Sequence, residues 1–67
     1  MQAATLGFTR EDGDFEILAT MNNTANHYEP ARFIVLVQAT AEALAAAIGH
    51  AVEILEREDA PAVIDPN

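Results

Sequence analysis

The chain contains no cysteine, no serine and no lysine. Without cysteine there are no disulfides, no zinc–thiolate sites and no thiol nucleophile. Without serine as well, no nucleophile triad can be assembled, and no threonine stands in a recognisable nucleophile motif. Glycine is scarce: Gly7, Gly13 and Gly49 are too scattered to form a phosphate-binding loop. His27 and His50 lie far apart, with none of the spacings that mark a metal site. No enzyme, cofactor or metal is therefore expected. Basic charge is equally sparse, with Arg10, Arg32 and Arg57 against eleven acids and a net charge of −8. Phosphate neutralisation needs clustered Lys and Arg, so direct nucleic-acid binding is not expected, and an anionic membrane would repel the chain. No continuous apolar run approaches the roughly 18 residues of a membrane span. The start has no basic stretch followed by an apolar one, so no signal peptide is expected and cytoplasmic residence is the default.

What is present is a compact set of apolar and turn-forming residues. The chain has 67 residues, of which 51% are hydrophobic and 21% charged, a globular composition. Many of the hydrophobic residues are alanines, so bulky side chains are fewer than the percentage suggests. A domain this small buries only about 60% of the surface its unfolded chain exposes. Disulfides, a metal or a partner subunit usually supply the missing support. With the first excluded and the second not signalled, association with a second copy remains.

Asp12-Gly13 reads as a two-residue type I′ turn, which needs positive φ at both central positions. Folding about it pairs Thr9 with Glu16, Phe8 with Ile17, Leu6 with Ala19 and Ala4 with Met21. One face then collects Ala4, Leu6, Phe8, Phe15, Ile17, Ala19 and Met21, and the other Thr5, Gly7, Thr9, Glu16, Leu18 and Thr20. A helix over residues 14–28 is the competing reading, weakened by three asparagines and several β-branched residues. Residues 22–31 read as a loop, closed by Pro30. Phe33-Ile34-Val35-Leu36-Val37 is a short β-branched and aromatic run, which favours a third strand buried on both faces. Thr40 suits an N-cap, and residues 41–58 then form an alanine-rich helix with Ala41, Leu44, Ala45, Ile48, Ala51, Val52 and Leu55 on its apolar face. The expected fold is α+β, in the order β-β-β-α: an antiparallel three-stranded sheet with one C-terminal helix. The alternative is a β-hairpin or helix followed by one long helix over residues 31–58. Residues 1–59 make one small domain, and 60–67 a flexible C-terminal tail.

The candidate sites follow from that architecture. One helix covers one sheet face, so a strand apolar on both sides leaves Phe33, Val35 and Val37 uncovered. Together with Ala43, Ala46, Ala47 and His50 on the outer side of the helix, they form the expected oligomer interface. Ala45 and Gly49 are small residues four apart, a spacing that permits close helix–helix approach. The loop residues Asn22, Asn23, Asn26, His27, Tyr28 and Glu29 are the first place to look for a small ligand, or else they make local turn bonds. Glu53, Glu56, Glu58 and Asp59 form an acidic helix end, either plainly solvated or facing a basic partner. The expected function is that of a non-enzymatic, small acidic homo-oligomer, at least a homodimer, acting by protein–protein interaction. One alternative is an acidic inhibitor or nucleic-acid mimic of the phage type, binding a basic host protein. Another is a small-ligand oligomer. The run Phe33–Leu55, read as strand and helix, resembles that of dodecin-like flavin-binding assemblies, although here the hairpin precedes it. The resemblance implies a flavin-like pocket between subunits.

Overall fold

The structure, a computed structural model, describes residues 2–56 and 62–66. Strands β1 (Gln2–Thr9) and β2 (Phe15–Asn23) form the expected hairpin. A short 3-10 turn at Thr24–Asn26 leads into helix α1 (Pro30–Ile48), which is followed by β3 (Val52–Glu56) and β4 (Ala62–Ile64). The strands make one antiparallel sheet in the order β2-β1-β3-β4. Helix α1 packs on one face of it, against β1, β3 and β4. The class is α+β with an antiparallel sheet and one α-helix among the described residues. The expected β-β-β-α order is corrected to β-β-α-β-β.

Residues 33–37 are helical, not a third strand. Pro30 stands at the start of α1, where its missing N–H costs no hydrogen bond. The apolar residues that look like a strand locally belong to a longer stripe. Phe33, Val37, Ala41 and Ala45 recur every fourth position, and all four are buried against the sheet. That pattern spans more than three turns and overrides the β preference of any five residues within it. Thr40 does not cap a helix either. It sits inside α1 and its hydroxyl donates to the Leu36 carbonyl at 2.8 Å, the back-bond that lets threonine tolerate a helix interior.

The helix stops at Ile48 and does not run to residue 58. Gly49 adopts φ 65° and ψ 35°, and its N–H donates to the Ala45 carbonyl at 2.9 Å. His50 N–H reaches the same carbonyl at 3.4 Å. Glycine takes this left-handed conformation without a Cβ penalty, so it ends the helix cleanly. Beyond it the period changes to two: Val52 and Ile54 are buried while Glu53 and Leu55 are half-buried on the other side. Of the residues placed in a tail, 62–64 form β4, with Val52 opposite Ile64 and Ile54 opposite Ala62. By length and composition α1 is also apolar enough to cross a membrane, since its few polar residues are spread among apolar ones.

The hairpin turn holds three residues, not two. Gly13 N–H donates to the Arg10 carbonyl at 2.9 Å and Arg10 N–H to the Asp14 carbonyl at 2.8 Å. Only Gly13, at φ 92°, has positive φ in the turn. This is the three-residue loop with a left-handed glycine, not type I′. Asp12 supports it by accepting from Asp14 N–H at 2.9 Å. The extra loop residue pairs Thr9 with Phe15, Phe8 with Glu16 and Gly7 with Ile17. A bulge between Leu6 and Gly7, with Leu18 as the additional residue of β2, then restores the expected pairs Leu6–Ala19, Thr5–Thr20 and Ala4–Met21. Phe15 and Ile17 therefore leave the face assigned to them, and Glu16 and Leu18 cross the other way. Leu18 packs with the core, and Phe15 lies over Gly7.

The core is the layer between α1 and the sheet. It comprises Ala4, Leu6, Phe33, Val37, Ala41, Ala45, Val52 and Ile54, flanked by Leu18, Ala19, Met21, Leu44 and Ile64. Burying each larger side chain there stabilises by about 1.5–3 kcal/mol, which few such residues must supply.

Candidate interaction surfaces

The six loop residues divide between structural and exposed roles. Asn23 is fully buried. Its Nδ2 donates to Gln2 Oε1 at 2.9 Å and to the Tyr28 carbonyl at 2.8 Å. Its Oδ1 accepts from Tyr28 N–H at 2.9 Å. The side chain thus ties both ends of the loop together and is not free for a ligand. Ala25 and Asn26 both sit at φ 53°, which tightens the chain just after Asn23. Asn22, Asn26 and His27 are exposed, and the His27 ring meets Tyr28 edge-on with centroids 4.8 Å apart. Tyr28 and Glu29 join Ala31, Arg32, Val35 and Leu36 around an open groove of about 600 Å³. The loop residues are thus spread between a buried tie and the groove, and do not converge.

The expected interface set also divides. Phe33 and Val37 are 4% and 1% exposed, inside the single chain's own core, so they belong to no surface. Their burial follows from the helical stripe described above. Val35, at 61% exposure, stays on the outer side of α1 with Ala43, Ala46 and Ala47. His50 is exposed past the helix end, its ring 5.0 Å from Phe8 and its Nδ1 2.8 Å from the Ala51 carbonyl. Ala45 is buried on the sheet and Gly49 lies beyond the helix, so the small-residue pair does not form a helix–helix contact strip. With residues 33–37 helical, the strand on which the dodecin-like resemblance rested is gone.

The acidic helix end is corrected too. Glu53 and Glu56 lie on β3, while Glu58 and Asp59 fall outside the described residues. Glu53 accepts a hydrogen bond from the Thr9 hydroxyl at 2.7 Å. Among the described residues an acidic cluster forms at the hairpin turn. There Arg10 lies 3.4 Å from Asp12 and 3.3 Å from both Asp14 and Glu16, with Glu11 beside them. Among the described residues, no group of His, Asp and Glu could hold a metal ion, and no buried side-chain nitrogen or oxygen lacks a partner.

The surface missed in the sequence is the sheet face away from α1. Phe15, Ile17, Leu55 and Val63 share it with Thr5, Thr9, Thr20 and Glu53, as the strand pairing requires. Ile17 is 61% exposed and Val63 58%. A three-residue reading of the Asp12-Gly13 turn is the one signal that would have placed Phe15 and Ile17 there. In comparisons with family models, curated proteins and solved structures, the chain finds no significant match.

Proposed function

We propose that the chain is a non-enzymatic, small acidic module that self-associates and acts through protein–protein contact. The observation that supports this reading is the uncovered sheet face, where Phe15, Ile17 and Val63 are 36%, 61% and 58% exposed. Apolar side chains gathered on one face of so small a protein signal a contact surface, whereas scattered ones do not. The lack of serine, cysteine and lysine leaves few nucleophiles for chemistry. Light scattering coupled to size exclusion, run over a wide concentration range, tests the proposal. An assembly of two or more copies is expected, and a monomer at every concentration would sink it.

A second reading has its own observation. The hairpin turn gathers Glu11, Asp12, Asp14 and Glu16 around Arg10 alone. Such a tip can steer a basic partner by long-range attraction. Capture of a basic protein that weakens steeply between low and high salt would favour this reading, because exposed charges are screened beyond about 8 Å at physiological ionic strength.

A further inference from the structure

We propose that a second copy of this chain packs against the open sheet face, so that two four-stranded sheets meet face to face with the helices outside. This deepens the self-association reading above and rests on it.

The two edges of the sheet are poorly suited to pairing. β2 is an edge strand, and its bulge at Leu18 breaks the regular spacing that an added strand would need. β4, the other edge, is only three residues long and is followed by Asp65 and Pro66. Bulges, short strands and proline are the devices by which sheets avoid edge addition. The outer side of α1 is the other apolar surface, but Gln38 and Glu42 interrupt it and its alanines offer little area each.

The open face fits a copy of itself. Phe15, Ile17, Leu55 and Val63 lie on it among threonines, with one charged group among its described strand residues. That group, Glu53, already accepts from Thr9 at 2.7 Å. The acids around Arg10 cluster at the turn instead. The Phe15 ring fills the space over Gly7, leaving a face without a deep trough there. β1 and β2 have eight and nine residues but β3 and β4 only five and three, so at about 3.4 Å per residue and about 4.8 Å between strands the face presents on the order of 400 Å² per copy. Two copies would then bury on the order of 800 Å², the size of a weak, concentration-dependent association. Threonine, isoleucine, valine and phenylalanine are the side chains that interdigitate between stacked sheets.

Sedimentation velocity on the full chain at low and high salt tests this. The wild type should dimerise, and more tightly at high salt, because salt screens the −8 charge on each copy. Ile17→Lys should weaken dimerisation at least tenfold while Val35→Lys leaves it unchanged, with circular dichroism confirming that both variants fold. Loss of the dimer in Val35→Lys alone would overturn the face-to-face arrangement and keep self-association. A wild type that stays monomeric throughout would overturn both. If Ile17→Lys does not fold, a nitroxide on Thr20→Cys, in a chain with no other cysteine, gives a second readout. Distances between labels of about 10–20 Å support stacked sheets, which lie about 10 Å apart. Much longer distances place the open faces outside and overturn the proposal.

Discussion

The two faces of one sheet meet different fates although the same strands build them. On the covered face, Leu6, Val52 and Ile54 pack under α1 and are at most 4% exposed. On the open face, Ile17 and Val63 remain more than half exposed, and threonines fill the places between. The difference comes from parity. β1 and β3 alternate regularly, so Leu6, Val52 and Ile54 fall on the α1 side and, of their large aliphatic residues, Leu55 alone on the other. β2 loses that alternation at its bulge, which sends Leu18 inward and leaves Ile17 outside. A single extra residue therefore moves apolar area from a core that is short of it to a surface that has no cover.

Truncating one residue on each face measures the contrast directly. Leu6→Ala removes a fully buried side chain and should cost about 2–5 kcal/mol. A domain of this length has about 3–10 kcal/mol in total, so this variant is expected to be largely unfolded in urea titrations started from dilute solution. Ile17→Ala at the same dilution, where the chain is monomeric, should change stability by less than about 0.5 kcal/mol. Equal losses would mean that the faces do not differ as described.

Two further substitutions test how the faces are held in place. Asn23→Ala removes three hydrogen bonds and strands the Tyr28 N–H, which should cost about 1–3 kcal/mol in thermal or urea unfolding. Gly7→Ala puts a Cβ 2.7 Å from a Phe15 ring carbon and against the Glu16 carbonyl oxygen. A loss of about 1–3 kcal/mol is expected. Adding Phe15→Ala should recover only part of it, because the ring can be removed and the carbonyl cannot. Full recovery would place the constraint in the side chain and not in the bulged backbone.

The hairpin was legible in the sequence from Ala4–Met21 to Leu6–Ala19, because alternation over several residues sets register. The turn was not, because Asp-Gly serves both two- and three-residue loops and only backbone φ separates them. The middle of the chain misled for a related reason. Phe33–Val37 has strong local β preference, whereas the fourfold spacing that decides its helix extends to Ala45. Gly49 is visible in the sequence, but its spacing from Ala45 suggests close packing inside a helix instead of a stop. The helix was therefore carried over β3, and the Val52–Ile54 alternation was absorbed into it. The candidate sites follow the elements: a strand at 33–37 would expose Phe33 and Val37, which the helix buries, and a two-residue turn would bury Ile17, which the bulged hairpin exposes. Ala43, Ala46 and Ala47 hold the outward places that helix periodicity assigns them, whereas Val35, expected on a strand, is exposed because it lies on the outer side of α1.

A smaller loss than at Leu6, Asn23 or Gly7 is expected at the turn, which neither face covers. Arg10 sits within 3.4 Å of three carboxylates, yet its side chain is 46% exposed and those of its partners 48% to 75%. Exposed pairs of this kind are worth little each, because water solvates the separated charges nearly as well and long side chains lose freedom in pairing. Here the three partners also repel one another, so removing the cation loses attraction and unmasks repulsion together. Arg10→Gln should therefore cost about 0.5–1 kcal/mol at low salt, more than one exposed pair would suggest. In 1 M salt, where charges are screened beyond about 3 Å, most of that loss should disappear. A loss that persists at high salt would show that Arg10 acts through packing of its stem, since its backbone bond to Asp14 survives the substitution. The turn, and with it the parity of β2, would then depend on that residue's shape and not on its charge.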